Sequence, residues 1–203
     1  MAQKRPLTLS DMERMQIPPR YYPKEIDTTR FPEILRAYLR EIDSHVLAGR
    51  GLLLCGNNGI GKTTFVCAAL QEARRHRHTA LFVESAAIKD FIFQRTPFDA
   101  QESMIERMRS VQVLGIDDLG KERADGKGFN EQVFDELLRH RMLHRRVTLI
   151  STNVVKARLP DFLMKSTLEA LRDCVTPLEI EGVNLRVEHA REARDALGIK
   201  AAS

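Results

Sequence analysis

An α/β fold, in which a parallel sheet is covered on both faces by helices, is predicted by three features of this 203-residue chain. Short apolar runs alternate with helical patterns of about 10–15 residues, the signature of strands joined by crossover helices. A glycine-rich loop stands directly after the first of those runs and opens a helix. A later apolar run ends in two adjacent aspartates, the placement expected of chemistry at the carboxyl end of a parallel sheet.

The elements follow in order. Residues 1–30 are polar and punctuated by Pro6, Pro18, Pro19 and Pro23, and read as an arm with a short helix near Ser10–Met15. A helix is expected over Pro32–Leu47, with proline suited to its first turn. Its apolar positions Ile34, Leu35, Tyr38, Leu39, Ile42 and Val46 keep the three-to-four spacing of one buried face. Gly51–Cys55 reads as a strand, Lys62–Arg75 as a helix, and Thr79–Val83 as the next strand. Ser85 is placed to cap a helix running to about Arg95, and Pro97 to start another. Strand Val111–Ile116, a loop around Gly120–Gly128, helix Phe129–Leu143 and strand Val147–Ser151 follow. A helix near Asp161–Arg172, a strand at Leu178–Glu181 and a short C-terminal helix close the chain. The expected division is an arm over 1–30, one core over 31–187 and a tail over 188–203.

Composition narrows the function class. Hydrophobic residues at 43% and charged residues at 30% exclude wholesale disorder and low-complexity architectures. No apolar run approaches the roughly 18–20 residues of a membrane helix, and no apolar stretch follows the basic start as a secretory signal requires. Cys55, Cys67 and Cys174 are too few and too scattered for a disulfide framework or a zinc site. A soluble cytoplasmic chain without a membrane partner is expected. Thirty-two basic residues against 28 acidic ones give +4, a mild surplus that permits a polyanionic partner without requiring one.

Gly56-Asn57-Asn58-Gly59-Ile60-Gly61-Lys62-Thr63, with Thr64 after it, fits G-x-x-x-x-G-K-[ST] in full. A triphosphate needs many N–H donors at short range, and a loop wraps it only where side chains do not obstruct. The glycines permit the turn, and the helix beyond aims its unpaired N–H groups at the phosphates. Lys62 is expected to pair with the β/γ oxygens and the Thr63 hydroxyl to bind Mg²⁺, so ATP and Mg²⁺ are the implied ligands. The competing reading is a glycine-rich turn with a chance lysine, and the strand-to-helix context argues against it.

Hydrolysis also needs a carboxylate for the metal and a base for the water. The run Val111–Ile116 ends in Asp117 and Asp118, assigned to the Mg²⁺ shell and to activating water respectively. Asn153, after Leu149-Ile150-Ser151-Thr152, reads either as a sensor of the γ-phosphate and the attacking water or as an ordinary turn asparagine. A guanidinium that stabilises the transition state from outside the pocket has three candidates, Arg172, Arg158 and Arg186.

With these residues in view the chain resembles the DnaC/IstB-like branch of the AAA+ ATPases, which joins replicative helicase loaders to ATPase helpers of insertion-sequence transposition. The resemblance runs from about Met15 to Arg186. It is carried by Ile17-Pro18-Pro19-Arg20-Tyr21, similar to the lead-in segment of the loaders, and by Gly51-Leu52-Leu53-Leu54 running into the phosphate loop. Ile116-Asp117-Asp118-Leu119-Gly120-Lys121-Glu122 and Ile150-Ser151-Thr152-Asn153 complete it. It implies a five-stranded AAA+ core of the P-loop NTPase type with a reduced or absent C-terminal lid, and the lead-in segment near the adenine. It also implies Asn153 as first sensor, Arg172 in preference to Arg158 as the arginine acting across a subunit interface, and an ATP-dependent oligomer. The implied partners are a replicative helicase and single-stranded DNA, or a transposase and duplex DNA. A small-molecule kinase using the same loop is a third reading, disfavoured by a strand ending Ser-Thr-Asn. About 16 residues before Ile17 are too few for a separate partner-binding domain, so the arm or the core surface is expected to make that contact.

Three basic regions remain. Arg74–His78 and Arg139–Arg146 read either as phosphate contacts or as cations gathered by helix C-termini. In Lys89–Arg109, the basic Lys89, Arg95, Arg107 and Arg109 accompany Phe91 and Phe93. The resemblance places that segment at the pore of the oligomer, whereas the pattern alone also fits core aromatics.

Overall fold

The computed structural model describes residues 4–22, 26–92, 98–120 and 131–182, apart from the side chains of 89–92, 98–103, 131 and 162. Five strands form one parallel sheet: β1 Gly51–Cys55, β2 Ala80–Glu84, β3 Val113–Leu119, β4 Val147–Thr152 and β5 Val175–Glu179, in the order β2-β3-β4-β1-β5. The helices are α1 Leu9–Arg14, α2 Glu33–Arg40, α3 Ile42–Ala48, α4 Lys62–Arg75, α5 Ser85–Ile92, α6 Phe98–Ser110, α7 Glu131–Leu143, α8 Leu159–Phe162 and α9 Lys165–Cys174.

Strand residues alternate between two cores, as period-two geometry requires. Leu52 and Leu54 face a core shared with α1 to α4, including Met12, Leu35, Phe65 and Leu70. Leu53, Leu81, Leu114 and Ile150 face the opposite core with Ile88, Phe134, Leu138 and Leu171 from α5, α7 and α9. Burial on both faces explains why these strands are almost uniformly apolar. The sheet order places β1 between β4 and β5, and β3 beside β4, so the loops after β1, β3 and β4 gather at one carboxyl edge. Gly115 lets α4 settle on β3, because a Cβ there would lie 2.6 Å from Val66 Cγ1. Among the described residues no helix is long and apolar enough to cross a membrane.

Several boundaries differ from expectation. The single helix over 32–47 is two, broken at Glu41 (φ −105°, ψ 19°), where no proline or glycine announces a break. β3 does not stop at Ile116 but shifts register between Ile116 and Leu119 and carries both aspartates inside the strand. The helix near 161–172 is a 3₁₀ turn over Lys156–Arg158 followed by α8 and α9. β5 begins at Val175, three residues before the expected Leu178, with Pro177 inside it. That proline is tolerated because, among the described residues, β5 lies at the sheet edge and pairs with β1 alone. Ser85 is the first residue of α5, and its buried hydroxyl donates to the Asp118 carbonyl at 2.8 Å instead of capping the helix. The start of the helix expected at Phe129, the helix start at Pro97 and the C-terminal helix and tail lie outside the described residues.

Candidate nucleotide site

The phosphate loop joins β1 to α4 without a side-chain cap, and Gly61 at φ 93° hands the chain into the helix. The first amide groups of α4 are therefore left open at a positive dipole end. Gly56, at φ 145°, sits where a Cβ would come within 2.4 Å of the Ile180 carbonyl oxygen, so only glycine fits between the loop and the segment beyond β5. Asn57 and Asn58 are exposed on the loop.

Lys62 is 6% exposed, and its ammonium folds back onto the loop. It donates to the carbonyls of Gly56 (2.8 Å) and Asn57 (2.7 Å) and to Asn153 Oδ1 (2.9 Å). Asn153 Nδ2 in turn donates to Asp118 Oδ1 at 3.1 Å. The loop lysine, the asparagine that follows β4 and the second aspartate thus form one chain of contacts, although they are far apart in sequence.

Asp117 is buried. Its carboxylate accepts from the Thr63 hydroxyl at 2.9 Å and from the Ser151 hydroxyl at 2.5 Å. Burial pushes its pKa up, opposed by those two hydroxyls and reinforced by the charges of Asp118 and Glu84. Among the described residues no basic side chain contacts it. A buried carboxylate beside a hydroxyl, both hard oxygen ligands and short of a counter-charge, fits a Mg²⁺ ion. Asp118 sits in the left-handed region (φ 58°), a conformation that re-aims its side chain relative to the strand. Ser151 helps to hold it there, because the hydroxyl that donates to Asp117 accepts the Asp118 N–H at 3.0 Å. Thr152 Oγ1 donates to the Leu119 carbonyl at 2.6 Å and fastens the following turn. The sequence offers Ser85 only as a helix cap and Ser151 and Thr152 only as part of the run before Asn153; their contacts to Asp117, Asp118 and Leu119 carry no sequence pattern of their own.

Tyr21 of the lead-in segment is buried against α4. Its carbonyl accepts from Gln71 Nε2 at 2.9 Å, and burial pushes the pKa of its ring hydroxyl up. The Arg20 guanidinium lies over its ring, 4.9 Å from the centroid. Arg172 is not brought to the loop. It is exposed near the end of α9, which leads into Val175, the partner of Gly51 at the opposite end of β1. Arg158 is exposed after β4 and pairs with Asp161 at 3.5 Å. Arg186, Phe93, Arg95, Lys121 and Glu122, and the side chains of Lys89 and Phe91, lie outside the described residues.

Among solved structures, the crystal structure of DnaI superimposes with a TM-score of 0.66 at 23% identity, over 83% of this chain and 93% of that one. The DnaC helicase loader gives 0.63 at 18% identity, over 81% and 100%. DnaA bound to AMPPCP and single-stranded DNA gives 0.61 at 16% identity, over 92% and 58%. The fold is the AAA+ ATPase fold. At these identities the structures speak for the fold alone. In sequence, the chain is 27% identical over 169 residues to an insertion-sequence ATP-binding protein of Sinorhizobium fredii, covering 76% of this chain and 67% of the relative. No protein-family model matches. The resemblance to the DnaC/IstB-like AAA+ branch read from the motifs is met in fold by DnaI and DnaC and in sequence by the insertion-sequence ATP-binding protein.

Proposed function

We propose that this chain is an ATP-hydrolysing AAA+ protein of DNA replication, a DnaC-like helicase loader that works as an oligomer on a replicative helicase and single-stranded DNA. The observation that carries the ATPase part is the 2.9 Å contact between the Thr63 hydroxyl and the buried Asp117 carboxylate. It joins the helix that follows the phosphate loop to the strand that bears the acids, as a metal site shared between them requires.

In this reading the loop from Gly56 to Thr64 binds the phosphates through its amide groups. Lys62 leaves Asn153 and the loop carbonyls to meet the β/γ oxygens. Thr63 and Asp117 hold Mg²⁺, which when bound neutralises charge on the β- and γ-phosphates. Asp118 accepts a proton from the attacking water, and Asn153, released by Lys62, orients that water against the γ-phosphate. The lead-in segment at Tyr21 borders the base. Arg172, remote from its own loop, completes the site of a neighbouring subunit, which makes hydrolysis depend on assembly.

A second reading has its own support. The curated relative is an insertion-sequence ATP-binding protein, which favours an ATPase helper of DNA transposition built on the same core. The two readings differ in the client and not in the site. Immobilised chain loaded with a non-hydrolysable ATP analogue should retain a replicative helicase of its host and release it on exchange to ADP. Retention of a transposase with no retention of helicase would overturn the loader reading in favour of the transposition helper.

A further inference from the structure

The sheet edge opposite the phosphate loop, where the strands begin, carries arginines that the chemistry above does not use. Most of the basic clusters are committed internally. Arg74 pairs with Asp11 at 3.0 Å, Arg75 with Glu72 at 3.2 Å, His78 with Asp43 at 2.7 Å and Arg139 with Asp135 at 2.9 Å. Arg141 is fully buried. Arg50, Arg77 and Arg145 are different. Their side chains are exposed, and none makes an ion pair with a described residue.

Arg77 and Arg145 also occupy a conformation that resists them. α3, α4 and α7 end in the same turn, in which one residue lies in the left-handed region and the next N–H reaches back to the helix. At α3 that residue is Gly49 (φ 70°), with Arg50 N–H bonded to the His45 carbonyl at 3.0 Å. At α4 it is Arg77 (φ 70°), with His78 bonded to Ala73 at 3.1 Å. At α7 it is Arg145 (φ 50°), with Arg146 bonded to Arg141 at 2.9 Å. Glycine is the residue sterics favour there, and arginine is disfavoured. The helix dipole does not account for the choice, because it acts in the last turn, where Arg74, Arg75, His140 and Arg141 already stand.

The three arginines share one rim. The order β2-β3-β4-β1 puts the Arg77 turn two strands from the Arg145 turn, and the Arg50 turn one strand beyond it. At the usual strand spacing the row spans roughly 15 Å. The rim is rigid: Thr79 and Gln112 exchange hydrogen bonds at 3.0 Å each, and the Gln112 carbonyl accepts the Val147 N–H at 2.9 Å. A Cβ on Gly49 would lie 3.1 Å from the Arg145 backbone, so those two turns touch. From beneath, Arg141 donates to the carbonyls of Met108 (2.6 Å), Val111 (2.9 Å) and Val147 (2.6 Å).

We propose that this rim grips the phosphodiester backbone of nucleic acid through Arg50, Arg77 and Arg145, at a surface separate from the nucleotide site. A row of exposed cations along one edge of the sheet matches a linear polyanion. No Phe, Tyr or Trp stands in these turns to stack on bases, so the contact is with phosphates and independent of base sequence. The choice of nucleic acid as the polyanion rests on the reading of the chain as a DNA-acting ATPase.

The test measures binding of a fluorescent single-stranded oligonucleotide by the full chain across a salt series, beside thermal melting and ATP turnover. The Arg77→Gly/Arg145→Gly variant relieves both strained turns and removes both charges. It should melt a few degrees above wild type and hydrolyse ATP at the wild-type rate. It should bind DNA about tenfold or more weakly, with a salt slope smaller by about 1.4, near 0.7 per lost phosphate contact on a single strand. Arg77→Lys/Arg145→Lys should keep the wild-type slope. A glycine variant that binds DNA with the wild-type slope overturns the assignment of this rim while leaving the DNA-acting reading in place. Wild type that binds no DNA overturns both. Displacement of DNA by polyglutamate as readily as by unlabelled DNA at equal charge overturns it in favour of an acidic protein.

Discussion

Asp117 illustrates how a site can oppose the stability of the chain that carries it. Burial and the neighbouring charges of Asp118 and Glu84 raise its pKa, so the folded chain holds that proton more tightly than the unfolded chain does. The sign follows from linkage: stability without ligand is greatest while the group is protonated and falls as pH rises through its folded pKa. Asp117→Asn removes the charge and keeps the shape. It should stabilise the ligand-free chain at neutral pH by about 0.5–2 kcal/mol and flatten the fall of stability with rising pH. The same variant should lose ATP turnover by about 10²-fold or more. Denaturant titrations at several pH values, paired with phosphate release, check both halves. A destabilised variant with intact turnover would contradict the assignment.

At the scale of elements, the arm before the lead-in segment is fastened to α4 by a short polar cluster. Thr8 caps α1 and forms a reciprocal box with Asp11, whose carboxylate also takes Arg5 at 2.5 Å and Arg74 of α4 at 3.0 Å. Farther along, the Met15 carbonyl accepts the Phe82 N–H at 2.7 Å and covers the edge of β2. Burial alone would raise the Asp11 pKa, but the bonds from Arg5, Thr8 and Arg74 hold it well below the usual carboxylate range. A depressed pKa contributes stability above the unfolded value that is lost as pH falls through the folded one. Asp11→Ala should therefore cost about 1.5–3 kcal/mol at pH 7, with the difference from wild type narrowing toward acid. Equilibrium unfolding of both chains between pH 7 and pH 3 measures this, and a difference independent of pH would contradict it.

Elements also show what the sequence made legible and what it did not. The strand-to-helix glycine loop was readable because each of its residues answers a chemical need, and β1, α4 and β4 lie within a residue or two of their expected bounds. The β3 irregularity was not readable, because the left-handed Asp118 is imposed by partners from other elements, Ser151 and Ser85. β5 was misplaced because Pro177 discourages a strand, and only the sheet order reveals that the strand lies at an edge. The division of α2 from α3 at Glu41 has no local signal in the sequence. In the candidate site, Lys62, Thr63, Asp117, Asp118 and Asn153 come together as the motifs suggested. Ser151 and Ser85 needed the tertiary arrangement to be seen.

Considered as a whole molecule, the chain carries Arg172 in the last turn of α9, which leads into the Val175 end of β5, and the proposed function gives that arginine to the site of a neighbouring copy. Arg172→Ala and Lys62→Ala chains should each hydrolyse little ATP alone. Mixed, they should regain a fraction of wild-type activity, because an intact loop can then meet an intact arginine. Absence of recovery in mixtures would remove Arg172 from the trans role.

The claim on which the rest depends is that a magnesium-bound triphosphate occupies the loop between Gly56 and Thr64. Titration calorimetry with a non-hydrolysable ATP analogue and Mg²⁺ measures it most directly. The account predicts one saturable site per wild-type chain, weakened when Mg²⁺ is withheld and lost in Lys62→Ala. Heat signals that are identical for wild type and Lys62→Ala, or no binding by the wild type, would contradict it.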